Sequence, residues 1–368
     1  MKRNALKLTA LAAAAALVLS SCASGAGESG SGSSGSGSSE ASGQKTLVVA
    51  NWKGYGSDAD YGAPVFEKKY NCKVVHQYFT SEDEMLTMLQ TGGMGKIDVI
   101  LPNSTYIKTA YDEGLIQPID TSKLTGYDKL DDTWKNFSEA NIDGKTYAVP
   151  WTWGTTSLGY NPSLVQEKIT SWSSLWDSKY AGKVGFFDDY ETAIMTAAMY
   201  LKEPDPMKPD LDKVKTALQQ LKKNTKVLWS SYDDYLKPYA ANEIAIGNMW
   251  TGTATQLSKG NHPVAYITPD EGTVGWGDFW AIAKDAPQYD LALKWIDFMT
   301  GEEFQTAFAT GDNAHCPVNT AVTAKLTDDQ KKALWIYPSA PTKIVIEQAL
   351  DTQTRQAWLN LWNTVKAS

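Results

Sequence analysis

The 368 residues carry 34 Lys and Arg against 42 Asp and Glu, a formal charge of −8. Such an acidic balance argues against nucleic acid and anionic membrane surfaces as partners and is compatible with cationic ligands. The three cysteines and three histidines are scattered, leaving no cluster at metal-ligand spacing, and no P-loop, dinucleotide fingerprint or nucleophile elbow is present. Neither metal nor cofactor is expected.

Residues 1–21 read as a cleaved export signal, because Lys2, Arg3 and Lys7 precede an apolar run from Leu8 to Leu19 that is too short to span a bilayer. Leu19-Ser20-Ser21-Cys22 resembles the lipobox of bacterial lipoproteins, which implies lipidation of Cys22. Residues 22–45 are mostly Gly, Ser and other small or charged residues, unable to bury apolar surface, and read as a flexible tether. The expected address is the extracytoplasmic face of a bacterial membrane, held there by lipid. No later run is long and apolar enough to cross a bilayer.

Thr46 to Ala50 is an apolar run of strand length that stops at Asn51-Trp52-Lys53-Gly54-Tyr55-Gly56. A buried strand ending in a Gly-rich loop is where α/β sheets place ligand-contacting side chains. Phe66 to Tyr70 read as helix and Lys73-Val74-Val75 as the next strand. Ser81 to Glu84 fit a capping box, with Met85, Met88 and Leu89 as the apolar stripe behind it. Ile97 to Leu101 is a third strand, broken at Pro102-Asn103-Ser104-Thr105-Tyr106 before another helix. Alternating strands and helices predict a parallel sheet with right-handed crossovers.

A β-rich segment around Tyr147 to Tyr160 suggests that the chain crosses between lobes there. A second α/β unit follows: Gly185 to Phe187 end in Asp188, Asp189 and Glu191 before an Ala- and Met-rich helix, Leu211 to Leu221 have helical spacing, and Ile244 to Trp250 form a strand. Gly275-Trp276-Gly277-Asp278-Phe279-Trp280-Ala281-Ile282-Ala283 returns the chain to the first unit. Its glycines permit close backbone approach, and Asp278, an acid among aromatics, calls for a partner of opposite charge. Pro287 opens a helix, and Asp328 to Lys366 read as helical, with Trp358 and Trp362 in the core. The 14 Trp and 18 Tyr exceed what a core is expected to need.

The strand ends bring together Trp52, Tyr55, Ser104, Tyr106, Asp189, Glu191, Trp250, Trp276 and Asp278. Aromatics with carboxylates suit a ligand with ammonium ends and an apolar middle: acids pair the ends, ring faces add cation–π attraction of about 0.5 to 2 kcal/mol each, and each buried CH₂ contributes about 0.8 kcal/mol.

At these residues the chain resembles the spermidine/putrescine-binding proteins of ABC transporters. The resemblance is carried by NWKGY, LPNSTY, YAVPWTWGTTSLGYN, SWSSLWDSKYAGKVGFFDDYET, IGNMWTGTA and EGTVGWGDFWAI in series. It implies an α/β, two-lobed, periplasmic-binding-protein-like (type II) fold with a hinge and an interlobe cleft. Lobe 1 is expected over 45–150 plus 277–325 and lobe 2 over 151–276 plus 326–368. It also implies a monomer that captures a polyamine and delivers it to permease subunits, without enzymatic activity. Family ligand positions fall on Trp52, Tyr55, Ser104, Tyr106, Asp189, Trp250, Trp276 and Asp278, with a distal contact on Gln348. The family's second acid falls on Thr192; Glu191 lies one position early, and its loss from the site would favour a shorter diamine. The late family Tyr has no clear match, His315 lying nearest. The rival readings are the same fold binding a sugar or an amino-acid-like cation and, more remotely, a secreted hydrolase with two carboxylates.

Overall fold

The computed structural model describes residues 44–311, 315–336 and 343–368. The signal, Cys22 and all but the end of the tether lie outside the described residues.

One connected sheet organises the chain. Along its main path the strands run Cys72–Phe79, Lys45–Trp52, Val99–Ile100, Thr273–Ala283, Ala148–Tyr160, Ile246–Trp250, Val184–Phe187 and Thr225–Trp229. At one end Lys45–Trp52 pairs in parallel with both neighbours, and at the other Val184–Phe187 does the same. Between these parallel ends sit two long antiparallel strands, Ala148–Tyr160 and Thr273–Ala283. Their apolar faces serve both ends. Val149, Trp151, Trp280 and Ile282 pack with Leu47, Phe66, Trp295 and Phe308, whereas Leu158 and Val274 pack with Phe186, Ile194, Leu218 and Trp362.

The pairing of the long strands is irregular at one place. Asp278 faces Thr152 but Phe279 faces Pro150, so Trp151 is an extra residue. Proline has no N–H for the ladder and is confined to strand edges and bulges, and a bulge re-aims neighbouring side chains. The bulge lies at Asp278. There the Phe279 N–H turns to the Pro102 carbonyl instead, at 3.0 Å.

Several local expectations need correction. Ser81 caps the helix Glu82–Met88, its hydroxyl accepting from Glu84 N at 3.1 Å. The reciprocal half of the capping box is missing, because the Glu84 carboxylate takes Thr80 N and Thr80 Oγ1, both at 2.7 Å. The region from Asp328 onward is not all helix: a strand, Ile344–Ile346, adds beside Thr273–Gly275 before the helix Thr352–Ala367. Leu326 and Leu334 pack with Ala309, Cys316 and Val322, while Trp335 packs with Tyr266. Trp358 and Trp362 are buried as expected against Phe186 and Leu218. The tryptophan excess is largely structural, since Trp151, Trp172, Trp229, Trp280, Trp295 and Trp358 are all fully buried. Cys72 and Cys316 are both free, buried thiols. Among the described residues no helix is long and apolar enough to cross a membrane, and no group of His, Cys, Asp and Glu is placed to hold a metal ion.

Candidate functional site

The carboxyl ends of the parallel strands open on one cavity of about 630 Å³, within the usual range for small-molecule sites. Trp52 ends the first strand and stands edge-on to Phe79, ring centroids 4.7 Å apart. Gly54 and Gly56, at φ +69° and +97°, turn the chain through the left-handed region that glycine enters freely and present Tyr55. The Tyr55 hydroxyl donates to Asp278 Oδ2 at 2.5 Å, and its ring meets those of Trp151 and His315 edge-on at 5.4 and 4.9 Å.

Asp278 is 5 % exposed. Its second oxygen accepts from Asn103 Nδ2 at 3.0 Å. Both donors are neutral, so among the described residues none supplies the opposite charge expected from the sequence. Burial pushes the carboxyl up to about 6, against the pull of these two hydrogen bonds. Glu82 stands nearby, its Oε1 accepting from Asn103 N at 3.2 Å and its buried Oε2 without a partner. Burial first, then Asp278, hold it well above the ordinary glutamate range.

Across the cavity Asp189 caps the helix Tyr190–Tyr200, accepting from Thr192 N at 2.8 Å. Glu191 also lines the cavity, although its register argued otherwise, and its Oε1 accepts from the Tyr190 hydroxyl at 2.8 Å. Trp250 meets Phe187, Trp229 and Tyr232 edge-on at 4.8 to 5.0 Å. The Trp276 indole lies over Gly154, where an added Cβ would stand only 2.4 Å from Cζ2; its buried Nε1 has no partner. Tyr106 lines the wall with the Arg355 guanidinium 5.1 Å from its ring centroid.

Two expected residues do not line the cavity. Ser104 is fully buried behind it and hydrogen bonds to Asn103 Oδ1 at 3.2 Å. Gln348 is exposed, because the short strand Ile344–Ile346 delivers Glu347 to the wall in its place. Sequence reasoning also missed Glu82, Asn103, Tyr190 and Tyr232 as lining residues. Asn103 stood inside the LPNSTY motif and was legible there; Glu82 looked like an ordinary acid in a first helical turn. Among the described lining residues five are carboxylates (Glu82, Asp189, Glu191, Asp278 and Glu347), and Lys53 is the one Lys or Arg, exposed to solvent. His315 adds no charge near neutrality, since burial, and then Lys259, hold it down at about 4. The site is an acid-lined, aromatic-walled cleft fit for a cation with apolar segments.

Residues 64–338 match the family model described as bacterial extracellular solute-binding protein. The spermidine/putrescine-binding periplasmic protein of Escherichia coli (strain K12) is 30% identical over 305 residues, covering 82% of this chain and 86% of that protein. The putrescine-binding periplasmic protein PotF of the same organism is 27% identical over 354 residues, covering 89% and 93%. Among solved structures, the spermidine/putrescine ABC transporter substrate-binding protein PotD of Streptococcus pneumoniae superposes with a TM-score of 0.77 at 24% identity, covering 88% of this chain and 99% of that one. By the extent of the family match, the sheet topology and the cleft at the strand ends, the chain belongs to the bacterial extracellular solute-binding proteins.

Proposed function

We propose that this protein captures a linear polyamine of the putrescine and spermidine type and delivers it to the permease of an ABC importer. The observation that carries the reading is Asp278, a buried carboxylate whose hydrogen-bond donors among the described residues are the neutral Tyr55 and Asn103, in a cleft with four further acids. An ammonium is the partner such a carboxylate lacks. Trp52, Tyr55, Tyr106, Trp250 and Trp276 supply ring faces for the ammonium groups and apolar cover for the methylenes. A sugar would find few of the amides that satisfy hydroxyls, and an amino acid would bring its own carboxylate into an acid-lined cavity, which costs like-charge repulsion. The two Escherichia coli relatives are named for the same amines.

The protein works outside the cytoplasm as a monomer, anchored through a lipid on Cys22 and the tether of residues 22–45. Lobes of 45–150 plus 277–325 and 151–276 plus 326–368 close on the ligand about the two long strands. Calorimetry and thermal shift against putrescine, spermidine, 4-aminobutyrate and maltose test the ligand class. The amines are expected to bind and raise the melting temperature; stabilisation by maltose or aminobutyrate with no response to either amine overturns the reading.

Closure has its own readout. Trp52 and Trp250 stand at the ends of strands from opposite ends of the sheet, and binding selects the conformation in which both contact ligand. Tryptophan fluorescence is expected to change on amine addition, with most of the change absent from W52F/W250F. A flat signal in the wild type while calorimetry records binding counts against closure.

A further inference from the structure

Besides Asp278 and Glu82, the cleft holds three carboxylates where the sequence promised one or two. Asp189 and Glu191 come from the start of one helix, and Glu347 from a segment more than a hundred residues later. Thr192 joins them, its N–H donating to Asp189 at 2.8 Å and its hydroxyl to Glu347 Oε1 at 3.2 Å. Glu191 and Glu347 are only 7 % and 8 % exposed. Every hydrogen bond given to the three comes from an uncharged group.

The surrounding charges do not neutralise them. Arg355, from the final helix, lies over Tyr106 and donates to Thr109 Oγ1 at 3.2 Å; its charge reaches Glu191 and pulls that acid down, but less than burial and Asp189 push it up, and it forms no ion pair there. Lys366 is taken by Asp188 at 2.8 Å. Glu139 accepts from Ala349 N, Tyr190 and Tyr106 are neutral, and the charge of Asp278 reaches Glu347 and adds to the repulsion. Among the described residues no Lys or Arg makes an ion pair with any of the three. Buried carboxylates sharing one site cannot all ionise without a cation between them.

We infer that Asp189, Glu191 and Glu347 together hold a proton while the cleft is empty and release it to solvent when an ammonium arrives, so that capture exchanges a bound proton for ligand charge. The inference rests on the amine reading of the site. The direction of each acid agrees with it. Burial, then Asp189, push Glu191 up to about 8; burial, then Asp189 and Glu191, hold Glu347 well above its ordinary range; and burial raises Asp189. The three titrate as a unit, so the proton belongs to the cluster rather than to one residue. The ligand is already fully protonated at neutral pH and stays so, and the displaced proton goes to solvent. The cluster therefore carries less negative charge in the empty cleft than its count of acids implies, and the full charge develops only as ligand enters. Glu347 is the binding residue that neither the motif nor its spacing revealed.

The test is titration calorimetry of spermidine at pH 7 in phosphate and in HEPES, which differ in ionisation enthalpy. The wild type is expected to release about one proton per ligand, seen as a buffer-dependent enthalpy, and to lose one to two orders of magnitude in affinity from pH 8 to pH 6. Glu347→Gln and Glu191→Gln, once their melting curves show them folded, are expected to release roughly half as much or less. If spermidine binds the wild type with the same enthalpy in both buffers and no pH dependence, the proton exchange is wrong and the amine reading survives. If neither spermidine nor putrescine binds anywhere between pH 6 and pH 8, the amine reading itself falls, and this inference with it. Should either variant fail to fold, the wild-type buffer pair still decides.

Discussion

Asp278→Asn is expected to weaken amine binding by roughly thirty-fold to several thousand-fold while leaving the protein folded. Removing the carboxylate leaves a desolvated ligand cation unpaired, which costs about 2 to 5 kcal/mol, and each 1.4 kcal/mol is about tenfold in affinity. The pair is screened little by salt, because aromatics shield it from solvent. Stability should move the other way. The folded pKa of Asp278, about 6, lies above that of an ordinary aspartate, so the fold binds this proton more tightly than the unfolded chain does. Its contribution is thus unfavourable above pH 6 and fades as pH falls toward 4. The shift corresponds to roughly 3 kcal/mol at pH 7, part of it offset because Tyr55 and Asn103 bond less strongly to an amide than to a carboxylate. The unliganded variant should melt at or above the wild-type temperature at pH 7 to 8, with the gap closing near pH 4. Calorimetric affinity and melting curves on the same variant check both halves. Near-native affinity in a folded variant removes Asp278 as the anchor, and a marked loss of stability at pH 7 makes it a structural residue instead.

Gly154→Ala should damage the same site from behind. Gly154 pairs with Trp276 across the two long strands, and a Cβ there meets three atoms of the indole at 2.4 to 2.9 Å. Both strands are central in the sheet, so the backbone yields less readily than the ring. Overpacking of this kind costs about 1 to 3 kcal/mol. The larger expected effect is on function, because the displaced indole enters the space the ligand needs: amine affinity should fall tenfold or more, by the loss of a stacked aromatic contact. Replacing Trp276 with Phe in the same chain should restore stability by removing the clash. A Gly154→Ala variant with unchanged affinity and melting temperature means that the strands separate easily, and the ring is then not held as the geometry indicates.

Much of the site was legible because its parts lie in short runs with anomalous chemistry. Asp278 stood out as an acid between indoles, and Trp52, Tyr55, Tyr106, Asp189, Trp250 and Trp276 followed from strands that end in loops. Reading stopped where position depended on partners far away. Ser104 sits in the right motif but faces the interior, since Asn103 takes the role of pairing with Asp278. Gln348 and Glu347 are neighbours, and in an extended segment a shift of one residue reverses which side chain meets the cavity. No local pattern distinguishes them; the pairing of Ile344–Ile346 with Thr273–Gly275 does.

The sequence by itself determined the class of the fold, through strands of continuous apolar residues alternating with amphipathic helices, and it set the expectation of a cationic ligand, through acids among aromatics. These properties depend on spacing within ten or so residues. The tertiary structure decided the charge balance of the cleft. It brought Glu82 beside Asp278 and Glu347 beside Asp189 and Glu191, it paired Lys366 with Asp188, and it left Arg355 over Tyr106 without an ion pair to the acids. A carboxylate's behaviour depends on burial and on neighbours distant in sequence, and only the folded sheet sets both.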